Sequence, residues 1–205
     1  MHSVIRSSKR FGHTHVLFFF YQLARGLKFV HSAGVIHRDL KPKNLLVNRH
    51  CDLRIGDFGM ARLTEDTTIT PMMTEYVCTR WYRSPELLCS WNRYDQKVDI
   101  WACGCILVEM YTKEYLFPGK NTLDQLNLIS DILGTPDHET LSKIPNRKAQ
   151  YHLSRKPKID PPPLKERLGF DITAEGEDIV RRMCEWDPDR RLDVVGILEH
   201  PFPER

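Results

Sequence analysis

The side chains best suited to catalysis lie in two short polar segments, HRDLKPKN at residues 37–44 and a DFG triplet that begins at Asp57. The aspartate of the first segment, Asp39, precedes Asp57 by 18 positions. Carboxylate and amide oxygens bind hard divalent cations, a carboxylate can accept a proton, and an ammonium group neutralises an anion. With Lys41 and Asn44, the two aspartates offer groups that could position a cation and a negatively charged reactant.

A short hairpin is predicted between the two segments. Leu45–Val47 and Leu53–Ile55 are brief apolar runs on either side of a polar tip at residues 48–50, a pattern typical of two short antiparallel strands. Such a hairpin would place Asp39 near one end and Asp57 near the other.

Apolar periodicity predicts the main helix that precedes these segments. From Val16 to Val30, apolar residues recur at alternating steps of four and three, which marks one buried helical stripe. We expect a helix over 14–33, capped by Thr14 and ended by Gly34. An N-terminal transit peptide is the alternative, because no acidic residue precedes Asp39, but the buried stripe favours a folded helix with a basic exposed face.

The remainder of the chain is predicted to be mainly helical. Residues 98–112 are apolar on nearly every side, which is typical of a helix at the centre of a domain. Further helices are expected around 123–133, 179–186 and 194–198, whereas residues 58–95 and the proline-rich stretch 145–170 read as irregular. An irregular segment as long as 58–95 inside a compact domain is usually functional.

Composition limits the class of protein. The 205 residues are 41% hydrophobic and 28% charged, as in an ordinary globular domain, and the net charge of +3 is too small to indicate nucleic acid or membrane as the main partner. The six cysteines are scattered without metal-binding spacing, which favours reduced structural thiols. Cys103 and Cys105 lie in the most apolar helix and are expected to be buried.

Taken together, HRDLKPKN and the DFG one hairpin later resemble the catalytic loop and metal-binding loop of protein kinases. A lone DFG is weak, but this joint pattern is very specific. The resemblance implies a partial kinase domain over 1–205, with the mainly α fold of the C-terminal lobe and a hairpin that carries both loops. No counterpart of the family's glycine-rich loop, strand lysine or N-terminal β-rich lobe occurs before the catalytic loop.

The resemblance also implies a use of ATP and Mg²⁺ and a role for each polar residue. Asp39 would accept the proton of the substrate hydroxyl, and Lys41 would neutralise the transferred phosphate. Asn44 and Asp57 would hold Mg²⁺, and Leu46 would form the floor under the adenine. A lysine two positions after the aspartate is similar to serine/threonine kinases rather than tyrosine kinases.

Other positions match the structural residues of the family. By resemblance, Thr79 bridges the catalytic aspartate and lysine, and Glu86 pairs with Arg191. Asp99 anchors the backbone of the catalytic loop. Structural roles are also implied for two ring residues beside these loops, His37 and Phe58.

A subfamily resemblance comes from residues 72–88, MMTEYVCTRWYRSPELL. The Thr-Glu-Tyr triplet from Thr74 to Tyr76 resembles the dual phosphorylation site of ERK-type MAP kinases. With GDFGMAR at 56–62 and LFPGKN at 116–121, the sequence is most similar to the large, C-terminally extended ERK subfamily. The implied activation segment is 57–86, and the implied MAP-kinase insert is about 120–170.

Phosphates on these two residues would need cationic partners, because charge-assisted bonds to arginine can order a phosphorylated loop. By resemblance, four arginines would bind them: Arg38 and Arg62 for Thr74, and Arg80 and Arg83 for Tyr76.

The resemblance therefore implies a proline-directed serine/threonine kinase of a cytoplasmic and nuclear signalling cascade. Its partners would be proteins with Ser/Thr-Pro sites and an upstream dual-specificity MAP kinase kinase, without nucleic acid or membrane. The alternative is a non-catalytic kinase-lobe binding module, or a decoy for MAP kinase partners. The intact Asp39, Lys41, Asn44 and Asp57 favour the enzyme for the family, although we expect little activity from these 205 residues alone.

Overall fold

A computed structural model of the chain describes residues 1–7, 11–65, 80–91, 94–169 and 172–202. Within these ranges the chain is mainly helical, as the sequence predicts. The helices, in chain order, are α1 His2–Ile5, α2 His13–Ser32, α3 Pro85–Leu88, α4 Lys97–Thr112, α5 Thr122–Leu133, α6 His138–Lys143, α7 Arg147–Ser154, α8 Leu164–Leu168, α9 Ala174–Met183 and α10 Val194–Leu198.

Two small antiparallel sheets lie among the described residues. The predicted hairpin is confirmed: β2 Leu45–Val47 pairs with β3 Leu53–Ile55. A second pair, β1 Val35–Ile36 with β4 Arg62–Leu63, was not predicted. Its strands have two residues each, too few to show the alternation by which a strand is recognised.

The central helix is α4, as expected from its composition. Every residue from Val98 to Met110 is buried, and α4 packs against both α2 and α9. Trp101 is fully buried and stacks on Phe117 with ring centroids 5.6 Å apart. Burial on all sides makes α4 a rigid support for the loops attached to it.

The prediction that Thr14 caps α2 is wrong. The N-cap is Gly12, and among the described residues this end of the helix has no side-chain cap hydrogen bond. At the other end, Gly34 follows the helix with φ of +68°, the left-handed conformation that glycine adopts without strain.

The prediction that residues 145–170 are irregular is also wrong in part, because α7 and α8 lie within this stretch. The Asn146 side chain caps α7 by accepting from the Ala149 amide at 3.1 Å. Ala149 and Leu153, the buried residues of α7, are one turn apart. Two apolar residues in a charged segment were too few to reveal a helical period.

The described cysteines fit the expectation of reduced thiols. Cys51 is exposed, and Cys89, Cys103, Cys105 and Cys184 are buried and free. Burial raises the pKa of the Cys103 and Cys105 thiols well above the ordinary value, so both are poor nucleophiles. No helix in the described ranges is both long and apolar enough to cross a membrane.

Candidate active site

The catalytic-loop segment is anchored by Asp99, a carboxylate on the buried helix α4. Asp99 accepts hydrogen bonds from the backbone amides of His37 and Arg38, both at 2.8 Å. His31 Nε2 lies 2.9 Å from the same carboxylate, which is only 1% exposed. Arg38 adopts a φ of +70°, a conformation that costs a non-glycine residue about 1–2 kcal/mol. The hydrogen bonds from the two backbone amides to Asp99 hold the backbone in this conformation.

The catalytic-loop segment and the DFG segment are joined directly. His37 Nε2 is 2.9 Å from the Gly56 carbonyl oxygen, and the Gly56 amide donates to the Asn44 carbonyl at 2.9 Å. The His37 ring also meets the Phe58 ring edge-on, with centroids 4.8 Å apart. The hairpin β2–β3 therefore brings together two polar segments that are distant in sequence.

Asp39, Lys41 and Asn44 form one hydrogen-bonded cluster. Lys41 Nζ donates to Asp39 Oδ2 at 2.6 Å, and both side chains are 15% exposed. Asn44 Nδ2 donates to the Asp39 carbonyl at 2.8 Å and to Oδ2 at 3.1 Å. The carboxylate is thus held on one oxygen by two donors, while the cluster stays open enough to reach a substrate.

Asn44 and Asp57 offer the oxygen ligands that the expected magnesium site requires. Because the Asn44 amide nitrogen is engaged with Asp39, its amide oxygen is the group left for a cation. Asp57 is exposed, with φ of +59°, and one of its oxygens accepts only a long 3.4 Å bond from the Gly59 amide. Oxygen ligands with open positions suit Mg²⁺, which usually retains several waters.

Leu46, the expected adenine floor, lies on β2 between these two segments and is 61% exposed. Its side chain stands beside Gly56, where an added Cβ would lie 3.4 Å from Leu46 Cδ1. Thr74, Tyr76 and Thr79 lie outside the described residues.

Arg38 has the surroundings of an anion site. Its guanidinium is buried, and burial is the main reason that its pKa is lowered, with the nearby Arg62 and Arg83 acting in the same direction. Arg38 Nε is buried without a hydrogen-bond partner among the described residues. The ring of Tyr94 lies 5.1 Å below the guanidinium. An unpartnered buried donor among like charges is costly, and an anion would relieve that cost.

Arg80 and Arg83 line a second, cationic cleft of about 250 Å³ beside α3. Arg80 Nη1 donates to the Lys120 carbonyl at 2.7 Å. Arg83 Nη2 is buried and has no partner in the described part of the chain. Arg83 also lines the small cavity that contains Arg38. Three of the four arginines therefore line these two cavities, and Arg83 belongs to both. Arg62 lines neither, and its link to this group is its charge, which acts on Arg38.

The expected pair Glu86–Arg191 is in contact and almost fully buried. Arg191 Nη1 and Nη2 donate to the two Glu86 oxygens at 2.6 and 3.0 Å. The same guanidinium also donates to the carbonyl oxygens of Glu185 and Lys97, both at 2.9 Å. The pair ties α3 to the loop before α10.

Breaking this pair is expected to destabilise the protein strongly. Glu86→Ala should cost about 3–5 kcal/mol of unfolding free energy, because it leaves Arg191 buried without its counterion. Urea unfolding followed by circular dichroism measures the change. Glu139→Ala is the matched control, since the exposed Glu139–Arg190 pair should contribute about 0–1 kcal/mol. Equal losses in the two variants would contradict the assignment.

Several residues that support the site were not predicted from the sequence. Tyr82 donates to Glu109 at 2.5 Å, and Arg6 Nη2 donates to the same buried carboxylate at 3.1 Å. Burial, followed by the Glu109 charge, raises the pKa of Tyr82 far above its usual value. Like the contacts of His31 and Tyr94, these depend on residues distant in sequence, and no local motif signals them.

The geometry and the sequence comparisons agree on the class of protein. Residues 1–203 match the model of the protein kinase domain. The chain therefore belongs to the protein kinase domain family, and the expected kinase-lobe fold is confirmed.

Within that family the similarity is to MAP kinases. Mitogen-activated protein kinase 6 of Oryza sativa subsp. japonica is 45% identical over 203 residues, covering 98% of this chain and 53% of the relative. Mitogen-activated protein kinase p38a of Drosophila melanogaster is 46% identical over 195 residues, covering 93% and 50%. The resemblance to MAP kinases is thus confirmed, and the chain spans about half the length of these relatives. Its assignment to the large ERK subfamily stays a prediction.

Proposed function

We propose that this chain supplies the catalytic, metal-binding and activation segments of a MAP kinase that phosphorylates serine or threonine in proteins, with ATP as the phosphate donor. The cluster of Asp39, Lys41 and Asn44 beside Asp57 carries the proposal. It combines a proton acceptor, a cation and two oxygen ligands within one rigid pair of loops.

In the proposed reaction, the substrate hydroxyl oxygen forms a bond to the γ-phosphorus as the bond from that phosphorus to the bridging oxygen of ADP breaks. Asp39 orients the hydroxyl and accepts its proton. Lys41 Nζ, held 2.6 Å from Asp39, offsets the negative charge of the transferred group. The protein contributes mainly position and charge, which suits a loose transition state.

Asn44 and Asp57 are the residues that would hold Mg²⁺, which neutralises phosphate charge when it is bound. The contact network of His37, Gly56 and Phe58 fixes the two ligands relative to Asp39. Misplacement of a reacting group by about 1 Å can lower a rate 10²-fold, so this rigidity matters for turnover.

Dual phosphorylation of Thr74 and Tyr76 by an upstream kinase is the proposed activating event. The unpartnered donors Arg38 Nε and Arg83 Nη2 support it, because each is buried among positive charges. A phosphate carries about two negative charges and three strong acceptor oxygens, so it would satisfy these donors and order the segment that carries it.

Substrate choice can be tested in a chimera that joins the N-terminal part of rice mitogen-activated protein kinase 6 to residues 1–205. We expect the activated chimera to prefer Ser-Pro over Ser-Ala peptides by about tenfold or more in kcat/KM, the range that pocket complementarity provides. This expectation is based on the VCTRWYR segment at 77–83, in which Tyr82 donates a hydrogen bond to Glu109.

A peptide library gives the measurement, and Cys78→Ala is the companion variant because the family usually has alanine there. Equal rates on both peptide classes, in the chimera and in Cys78→Ala, would contradict the proline preference. No phosphorylation of any peptide by an activated, folded chimera would instead support the non-catalytic binding module.

A further inference from the structure

A strongly basic segment lies outside the proposed active site. Between Glu139 and Asp160 the chain contains six lysines and arginines and no acidic residue. The whole chain carries a net charge of only +3, so the rest of the molecule is net negative. The segment that contains α7 is therefore densely basic, with six cations in 20 residues, whereas the 38 residues before Asp39, which also lack acidic residues, spread six cations over nearly twice that length.

Three of the six cations are neutralised within the molecule. Lys143 Nζ lies 2.7 Å from Asp187 and 3.0 Å from Asp189. Lys156 lies 3.3 Å from Asp131, and Lys158 lies 3.2 Å from Asp160. The other three have side chains with no ion pair or hydrogen bond to any residue that the structure describes: Arg147, Lys148 and Arg155.

The three free cations share one exposed face of α7 with an aromatic residue. Ala149 and Leu153 turn inward and are 3% and 2% exposed, whereas Tyr151 is 66% exposed. At 3.6 residues per turn, all three cations lie within about 60° of Tyr151 around the helix axis. The α7 face, defined as Arg147, Lys148, Tyr151 and Arg155, is thus a continuous basic surface with an aromatic centre, about 12 Å long.

We propose that the α7 face docks an extended acidic segment of a partner protein. Two arginines at its ends suit carboxylates, which a guanidinium binds in a bidentate geometry. An extended segment advances about 3.3 Å per residue, so about four residues span the face. The recognised segment therefore has acidic side chains at both ends and an apolar side chain that packs on Tyr151. Tyrosine and arginine are the residue types enriched in protein interfaces.

Charge and shape favour a protein over the other polyanions. Electrostatic membrane binding generally uses clusters of about four to eight basic residues, and the α7 face has three free ones. Duplex nucleic acid would be bound through many phosphates, which this short, convex surface does not reach. The inference is independent of the proposed function, because binding is measured without ATP or turnover.

Fluorescence anisotropy of the 205-residue chain with a labelled Glu-Glu-Leu-Asp-Glu peptide tests the proposal at low ionic strength. The variant R147E/K148E/R155E is expected to lose affinity about tenfold or more, and added salt should weaken wild-type binding. Tyr151→Ala is expected to lose about threefold, and that loss should persist at high salt because it arises from packing. The control K28E/R49E/R54E reverses three exposed cations elsewhere and should retain affinity within about twofold.

Three results would overturn the proposal. The first is an equal loss of peptide affinity in the two triple variants, and the second is equal affinity for a peptide with glutamine in place of the acidic residues. The third is tighter binding of phosphatidylserine vesicles or single-stranded DNA through the same residues. Circular dichroism checks that each variant folds. If the triple variant does not fold, the single variants Arg147→Gln and Arg155→Gln are each expected to lose about twofold to threefold, and unchanged affinity in both would equally overturn it.

Discussion

Asp39→Asn in the activated chimera is expected to lower kcat by about 10²–10⁴-fold, the usual contribution of a general base. The amide has nearly the same shape as the carboxylate but does not accept the substrate proton. It also replaces the ion pair between Lys41 and Asp39, 2.6 Å long, with a weaker bond from the lysine cation to an uncharged amide oxygen, so Lys41 is less firmly oriented. Because Asp39 is not an expected ligand of the nucleotide, the KM for ATP should change little.

Initial rates at saturating Ser-Pro peptide, with ATP varied, measure both parameters. Asp52→Asn is the matched control, since Asp52 is an exposed carboxylate at the hairpin tip that accepts from Asn48 at 2.8 Å. It should leave kcat within about twofold, as surface substitutions usually do. Near-normal kcat in Asp39→Asn, with Asp52→Asn also normal, would show that Asp39 is not the catalytic residue.

The 205-residue chain without a fusion partner is expected to transfer phosphate more slowly than the chimera by about 10⁵-fold or more, the scale of well-oriented intramolecular reactions. Asp57 is exposed and Leu46 is 61% exposed, so a triphosphate bound there would remain largely hydrated and mobile. Orientation, which supplies about 7–11 kcal/mol in such reactions, would then be lost even with Asp39 and Lys41 in place.

Purified chain and chimera, both phosphorylated on Thr74 and Tyr76, can be compared with labelled ATP and a Ser-Pro peptide. The chimera carrying Asp39→Asn provides the background rate. Turnover of the chain within about tenfold of the chimera would contradict this expectation, because it would mean that these 205 residues orient the nucleotide by themselves.

Sequence alone determined the class of this protein because its chemistry is carried by contiguous motifs. HRDLKPKN and DFG are each local, and the short hairpin between them was recognisable from its two apolar runs. The two longest helices were predicted equally well. In α2 the apolar residues recur at helical spacing over several turns, and α4 is apolar on nearly every side. Short elements without such repetition, notably α7 and the β1–β4 pair, were missed.

Only the tertiary structure decided which residues support the site and which charges remain free. The third donor to Asp99 comes from His31, and the partner of Tyr82 comes from Glu109. Both contacts join residues far apart in sequence, the first between helices α2 and α4, and no spacing rule encodes them. The same holds for the basic segment at α7. Its charges are visible in the sequence, but only folding shows which are neutralised by distant aspartates and which surround Tyr151, because pairing depends on positions in space and not along the chain.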